Sequence, residues 1–168
     1  MNVSNFSILE AVELAVGIEE EGERFYALAA AKTEEGEMKK LFEILREKEI
    51  EHKNTFRKLY SDMAEKQGDP DAGLYLLDPE VAAYFHGYIE SAVFPVKGSA
   101  IEILAQCEGP ADILRLGMQA EKDSILYYHE LMAHSPYPDA ADLLKEIIAE
   151  EHKHFAILRR ELQKIEAA

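Results

Sequence analysis

Phe42, Leu45, Glu49, His52, Phe56 and Leu59 follow one another in steps of three and four, the spacing of a single helical face. Leu144, Ile147, Glu151, His154, Leu158 and Leu162 do the same. A third run (Leu9, Val12, Val16, Glu19, Gly22 or Glu23, Tyr26, Ala30) and a fourth (Ala111, Leu114, Met118, Glu121, Ile125, Tyr128, Met132) complete a set of long amphipathic helices. In every run a carboxylate interrupts the apolar face, and in two an imidazole does so as well. Side chains on that face are bound for the interior, where an ionisable group needs a partner.

Two polar joints, Lys32-Thr33-Glu34-Glu35-Gly36 and His134-Ser135-Pro136-Tyr137-Pro138-Asp139, are short enough to make each helix pair an antiparallel hairpin. The expected organisation is one domain, 1–168, with hairpins over 5–66 and 111–166 and a connection over 67–110. That connection opens with Gln67-Gly68-Asp69-Pro70 and closes with Glu108-Gly109-Pro110. Asp78 and Pro79 suit the N-cap and first position of a helix reaching about Phe94, where Pro95 stops it. Ser99 can cap a further short helix to about Gln106. About 40 residues hold too little core for a separate domain. A connection of this length instead traverses the bundle, leaving the second and third long helices parallel in an all-α four-helix bundle with one crossover.

A shift of 102 residues carries Glu19 onto Glu121, Tyr26 onto Tyr128, Glu49 onto Glu151 and His52 onto His154. The hairpin is thus duplicated, and each copy supplies one lone Glu and one Glu-x-x-His. Four carboxylates and two imidazoles form a set that a bundle can converge on two metal ions. Four buried carboxylates are very unfavourable unless protonated, paired or metal-bound, and two divalent cations cancel their charge. Glu and His three residues apart share a helical face, so the imidazole can serve one metal while the carboxylate binds or bridges. Oxygen-rich sites with one nitrogen each suit iron or manganese, and zinc is chemically compatible.

The competing reading is a duplicated hairpin whose polar interruptions form a structural hydrogen-bond network. One Glu-x-x-His is weak evidence for metal; two on apolar stripes, displaced equally with a lone stripe Glu, are strong. A shift of 100 would instead pair Glu51-His52-Lys53 with Glu151-His152-Lys153 and make Glu150 and His152 competitors, but the stripe favours Glu151 and His154. Glu20 and Glu23 compete with Glu19, and the repeat separates them. Glu21 and Asp123, also equivalent by the shift, are candidates to orient ligand imidazoles but read more simply as surface acids, and His86, His129, His134 and His152 read as surface or loop residues.

Composition narrows the functional classes. With 48% hydrophobic and 30% charged residues, the chain has the make-up of an ordinary globular protein. A formal charge of −15 repels phosphate backbones and anionic lipid, so neither nucleic acid nor a membrane is an expected partner. No apolar run approaches the roughly 20 residues that span a bilayer, and the N-terminal residues lack a basic-then-apolar leader pattern, so a cytoplasmic address is the default. The single cysteine, Cys107, excludes an internal disulfide and reads as a small buried hydrophobe.

Ala15-Val16-Gly17-Ile18-Glu19 with Tyr26, and Glu49-x-x-His52, repeated as Glu121 with Tyr128 and Glu151-x-x-His154, resemble the ferritin-like di-iron carboxylate superfamily, closest to its rubrerythrin branch. The resemblance covers all four main helices. It implies a carboxylate-bridged di-iron site with Glu19, Glu49, His52, Glu121, Glu151 and His154 as ligands, and Tyr26 and Tyr128 as tyrosines supporting them. Seven residues place each tyrosine about 10 Å along the axis from its own helix's Glu, so each must touch a carboxylate from another helix. The chain departs from that pattern in three respects. With one cysteine it has no four-cysteine rubredoxin-like iron site; Ser124 stands where rubrerythrins carry an extra Glu, so no iron shift between ligands is expected; and the crossover is longer than in simple rubrerythrins and ferritins.

The resemblance implies an oxidoreductase that reduces peroxide or dioxygen at two iron ions, with electrons from a separate donor protein. The alternatives are a ferroxidase or iron-handling protein, and a metal-stabilised interaction module. A homodimer is the default assembly.

Overall fold

The computed structural model describes residues 6–34, 36–67, 77–92 and 99–167. Its helices are α1 (Ile8–Lys32), α2 (Glu37–Gln67), α3 (Pro79–Ser91), α4 (Ser99–Ala105), α5 (Pro110–His134) and α6 (Pro138–Glu166). No strand occurs among the described residues. None of the helices is long and apolar enough to cross a membrane.

Local chemistry sets several boundaries. Ser7 and Glu10 form a reciprocal capping box at the start of α1, satisfying two of the donors a helix N-terminus leaves open. Asp78 Oδ1 accepts from the Glu80 amide at 2.9 Å and Pro79 is the first residue of α3, as the Asp-Pro pair predicts. Both α5 and α6 begin with a proline at N1, where the missing N–H costs nothing. Because α6 starts at Pro138, its joint with α5 is shorter than the expected 134–139. α3 is described to Ser91; the stop expected at Pro95 and the turn at Gly68-Asp69-Pro70 lie outside the described residues, as does Glu35.

The side chains of the four long helices divide into two hydrophobic clusters. One contains Ile8–Ala15 positions of α1, Phe56–Met63 positions of α2, Tyr127–Leu131 of α5 and Ala140–Ile148 of α6. The other contains Phe25–Ala30 of α1, Phe42 and Leu45 of α2, Ile113 and Leu114 of α5, and Leu158 and Leu162 of α6. The start of α1 therefore lies with the end of α2, the end of α5 and the start of α6, which makes α2 and α5 parallel. Crossover residues follow the same division: Ala82 and Phe85 of α3 join the first cluster, and Ala100, Leu104 and Cys107 the second. The connection runs the length of the bundle, as its length predicts.

α4 is tied to α1 at both ends. Glu21, expected at the surface, is buried and accepts from the Ala100 amide at 3.4 Å, while Lys32 Nζ donates to the carbonyls of Leu104 at 2.9 Å and Cys107 at 3.1 Å. An acid at the N-terminus and an ammonium at the C-terminus complement the helix dipole. The expected cap, Ser99, does not serve: its hydroxyl has no hydrogen-bond partner among the described residues, and Glu21 reaches the helix end instead.

Candidate metal centre

Between the two hydrophobic clusters lies a polar layer. Glu19, Glu49, His52, Glu121, Glu151 and His154 are all buried, the residues that interrupt the four apolar stripes. Their donor atoms fall into two overlapping sets, each with its atoms within 4.8 Å of one another: Glu19, Glu49, His52 and Glu151, and Glu49, Glu121, Glu151 and His154. Glu49 and Glu151, which sit one turn from the histidines, belong to both sets. Each remaining Glu joins the histidine of its own hairpin.

His52 Nδ1 lies 3.0 Å from Glu151 Oε1 and 3.6 Å from Glu19 Oε2. His154 Nδ1 lies 2.8 Å from Glu151 Oε2 and 3.8 Å from Glu121 Oε2. The imidazoles stack at 5.7 Å between centroids, both with Nδ1 turned to the carboxylates. Tyr26 donates to Glu121 and Tyr128 to Glu19. Each tyrosine thus reaches the lone Glu of the opposite hairpin, the cross-helix contact its distance from its own Glu requires.

The layer's electrostatics follow from burial and from the mutual repulsion of its carboxylates. Burial, then the charges of Glu19 and Glu151, push the Glu49 carboxyl well above the usual range. Glu121 is pushed up to about 8 by burial and by Glu151, against the influence of His154. Burial would also raise Glu151, but His154 and His52 override it and bring it down to about 2. Conversely, burial opposes charge on the imidazoles, yet the neighbouring carboxylates raise His52 to about 11 and His154 to about 9. Even so, among the described residues Glu19 Oε2, His52 Nδ1 and Glu151 Oε1 are buried without an aligned hydrogen bond, despite the 3.0 Å approach of His52 Nδ1 to Glu151 Oε1. All three belong to the first set, and a cation that displaced the imidazole proton would satisfy them. The donor set fits two divalent metals.

The competing residues lie apart. Glu20 is half-buried, Glu23 pairs with Lys53 and with Arg46, and His152 is exposed with Nδ1 2.8 Å from the Ile148 carbonyl. His129 and His134 are exposed; His86, expected at the surface, is half-buried against Phe6 at 4.7 Å between rings. Cys107 is buried, and burial raises its thiol pKa.

Two contacts of the layer do not follow from the periodicity, although it places Gly22 as an alternative stripe position of α1. Gly22 abuts the centre: a Cβ there would lie 2.6 Å from Glu49 Oε2, so the glycine makes room for that carboxylate. Glu150, weighed in sequence only as a rival for Glu151, places Oε2 3.1 Å from His52 Nε2. A cavity of about 30 Å³ beside the layer is lined by Gly22, Tyr26, Glu49, Tyr88, Glu121 and Ser124, among others.

Residues 10–92, covering α1 to α3 from the third residue of α1, match the rubrerythrin family. The chain is also similar to a Thermotoga maritima protein assigned to the ferritin-like diiron-carboxylate proteins, with 30% identity over 95% of this chain and 96% of that one and a TM-score of 0.73. A hypothetical protein from Pyrococcus furiosus shares the fold, at 22% identity over 94% of this chain and 89% of that one, with a TM-score of 0.65. No curated protein matches. With a buried carboxylate and histidine layer where such a bundle carries its metals, and with identity and coverage of this extent, the chain belongs to the ferritin-like diiron-carboxylate family.

Proposed function

We propose that the protein is a di-iron oxidoreductase of the rubrerythrin type, reducing peroxide or dioxygen with electrons from a separate donor. The observation that carries this reading is the pair of overlapping four-residue sets sharing Glu49 and Glu151. Glu49 and Glu151 would serve both ions, with Glu19 and His52 holding one and Glu121 and His154 the other. Two adjacent iron ions supply two one-electron changes together, which matches a two-electron oxidant.

The protein's own groups prepare the site. Tyr26 and Tyr128 keep their protons, since burial and then the nearest glutamate, Glu121 for Tyr26 and Glu19 for Tyr128, raise both pKa values well above the ordinary phenol. Each therefore remains a donor that fixes one oxygen of Glu121 or Glu19 and leaves the other directed into the layer. The cavity of about 30 Å³ beside Glu49 and Glu121 has room for a water-sized molecule at the edge of the layer. Ile18, Phe25, Ala92 and Ala120 on its walls keep that approach largely apolar.

The test is anaerobic loading with Fe(II) followed by stopped-flow mixing with peroxide or oxygenated buffer. The reading expects rapid oxidation of two irons per peroxide and repeated turnover when an artificial reductant is added. Oxidation of many irons per chain with mineral retained would point to iron storage. A metal centre inert to both oxidants would leave only a structural role.

A further inference from the structure

Within the polar layer the internal repeat is kept, but one turn before each histidine it breaks. The 102-residue shift carries Lys48 onto Glu150, so corresponding positions hold opposite charges. Glu150 reaches from α6 across to α2 and contacts His52 Nε2 at 3.1 Å, the ring nitrogen turned away from the carboxylates. Lys48, the corresponding residue of α2, has its ammonium 2.6 Å from Glu51 and 3.9 Å from Glu150. Glu121 and Glu151 are the only acids among the described residues paired with the His154 ring, both through Nδ1. Two other features of the layer are matched: Glu49 and Glu151 are common to both sets, and each lone Glu accepts from one tyrosine.

Resting on the metal-centre reading above, we propose that Glu150 is a positioning residue that makes the two metal positions unequal, so that the Glu19–His52 half fills first and the Glu121–His154 half second. The reason lies in the imidazole. When Nε2–H donates to a carboxylate, the proton is fixed on that nitrogen, the ring cannot flip, and the Nδ1 lone pair stays directed into the layer as a stronger donor. His52 has this support and His154 does not. Glu150 is 38% exposed, so orientation of the ring contributes more than its screened charge.

The experiment is an anaerobic titration of metal-free protein with Co(II), followed by calorimetry and visible absorption. Wild type is expected to bind two ions in separated steps. Glu150→Gln and Glu150→Ala are expected to weaken the first step about 10–100-fold and to leave the second unchanged, bringing the two together. Glu51→Gln, which removes a neighbouring acidic charge that pairs with Lys48 rather than with His52, is expected to keep the separation. Melting curves of the metal-free variants check that the bundle is intact. An unchanged first step in both Glu150 variants, or equal weakening of both steps, overturns the proposal. A crystal given one equivalent of Co(II) supplies an independent reading: anomalous density at His52 supports it, and density at His154 or equally at both overturns it. Wild type that binds no metal in the layer defeats the metal-centre reading itself, and that result is visible before any variant is made.

Discussion

Protons take up, in the metal-free protein, part of the role that cations would fill, and this fixes a direction for its pH dependence. Glu121 at about 8, His154 at about 9 and His52 at about 11 all lie above their ordinary values of 4.5, 6.5 and 6.5. Their stabilisation is complete below those ordinary values and is lost as pH rises through the folded ones. Glu151, lowered to about 2, works in reverse, with its contribution present above 4.5 and lost as pH falls through 2. Chelator-treated protein is therefore expected to melt several degrees lower at pH 9 than at pH 5 in calorimetry, at roughly 2–4 °C per kcal/mol for a chain of this size. Metal-loaded protein is expected to lose less, and a flat profile for the metal-free form would contradict the assignment. Metal analysis gives a second test: Glu49→Ala removes a residue common to both sets and should leave at most one ion bound, whereas Glu20→Ala should retain both. The six buried residues were legible because each interrupts an apolar stripe and each recurs after 102 positions. Glu150 was not, since it lies beside the stripe and its repeat partner is Lys48. Tyr127 was missed for a related reason: it neighbours the stripe residue Tyr128, yet it is buried and donates to the Ala11 carbonyl at 2.8 Å.

Among the helices, α1 leaves room at Gly22 for the Glu49 side chain of α2. Gly22→Ala should raise helix propensity by about 0.8–1 kcal/mol, and the atom it would strike first, Glu49 Oε2, is the free end of a flexible side chain. Stability of the metal-free variant should thus change by less than about 1 kcal/mol, because yielding of Glu49 costs less than typical overpacking. Metal affinity should nevertheless fall, since the carboxylate shared by both sets has been displaced. Parallel loss of stability and metal binding would instead mean that Gly22 serves packing alone. α4 offers another test: Lys32→Met uncovers the carbonyls of Leu104 and Cys107, and hydrogen exchange of α4 should speed up at a cost of about 1 kcal/mol. The four long helices and the helix after Asp78 were readable from periodicity and Pro signals. The capping of α4 was not, because its partner Glu21 is 79 residues away and locally resembles a solvated acid.

At the level of the whole molecule, the topology and the polar layer explain each other. Antiparallel hairpins joined by a crossover that runs the bundle's length place both Glu-x-x-His pairs and both lone glutamates at one height, between two hydrophobic clusters. That height was implicit in the repeat, whereas the paths of α3 and α4 depend on long-range packing that no local pattern records. Two divalent ions would close the gap between the clusters and bind only the folded chain. Loading at a free concentration of 100 times Kd should then stabilise the fold by about 2.7 kcal/mol per site, read as an upward shift in melting temperature. The most direct test is an anomalous difference map from crystals loaded with iron. Two peaks within the layer are expected, about 3.5–4 Å apart, one against His52 Nδ1 and the other against His154 Nδ1, with Glu49 and Glu151 touching both. A layer without anomalous density, or iron held only on the acidic surface, would contradict it.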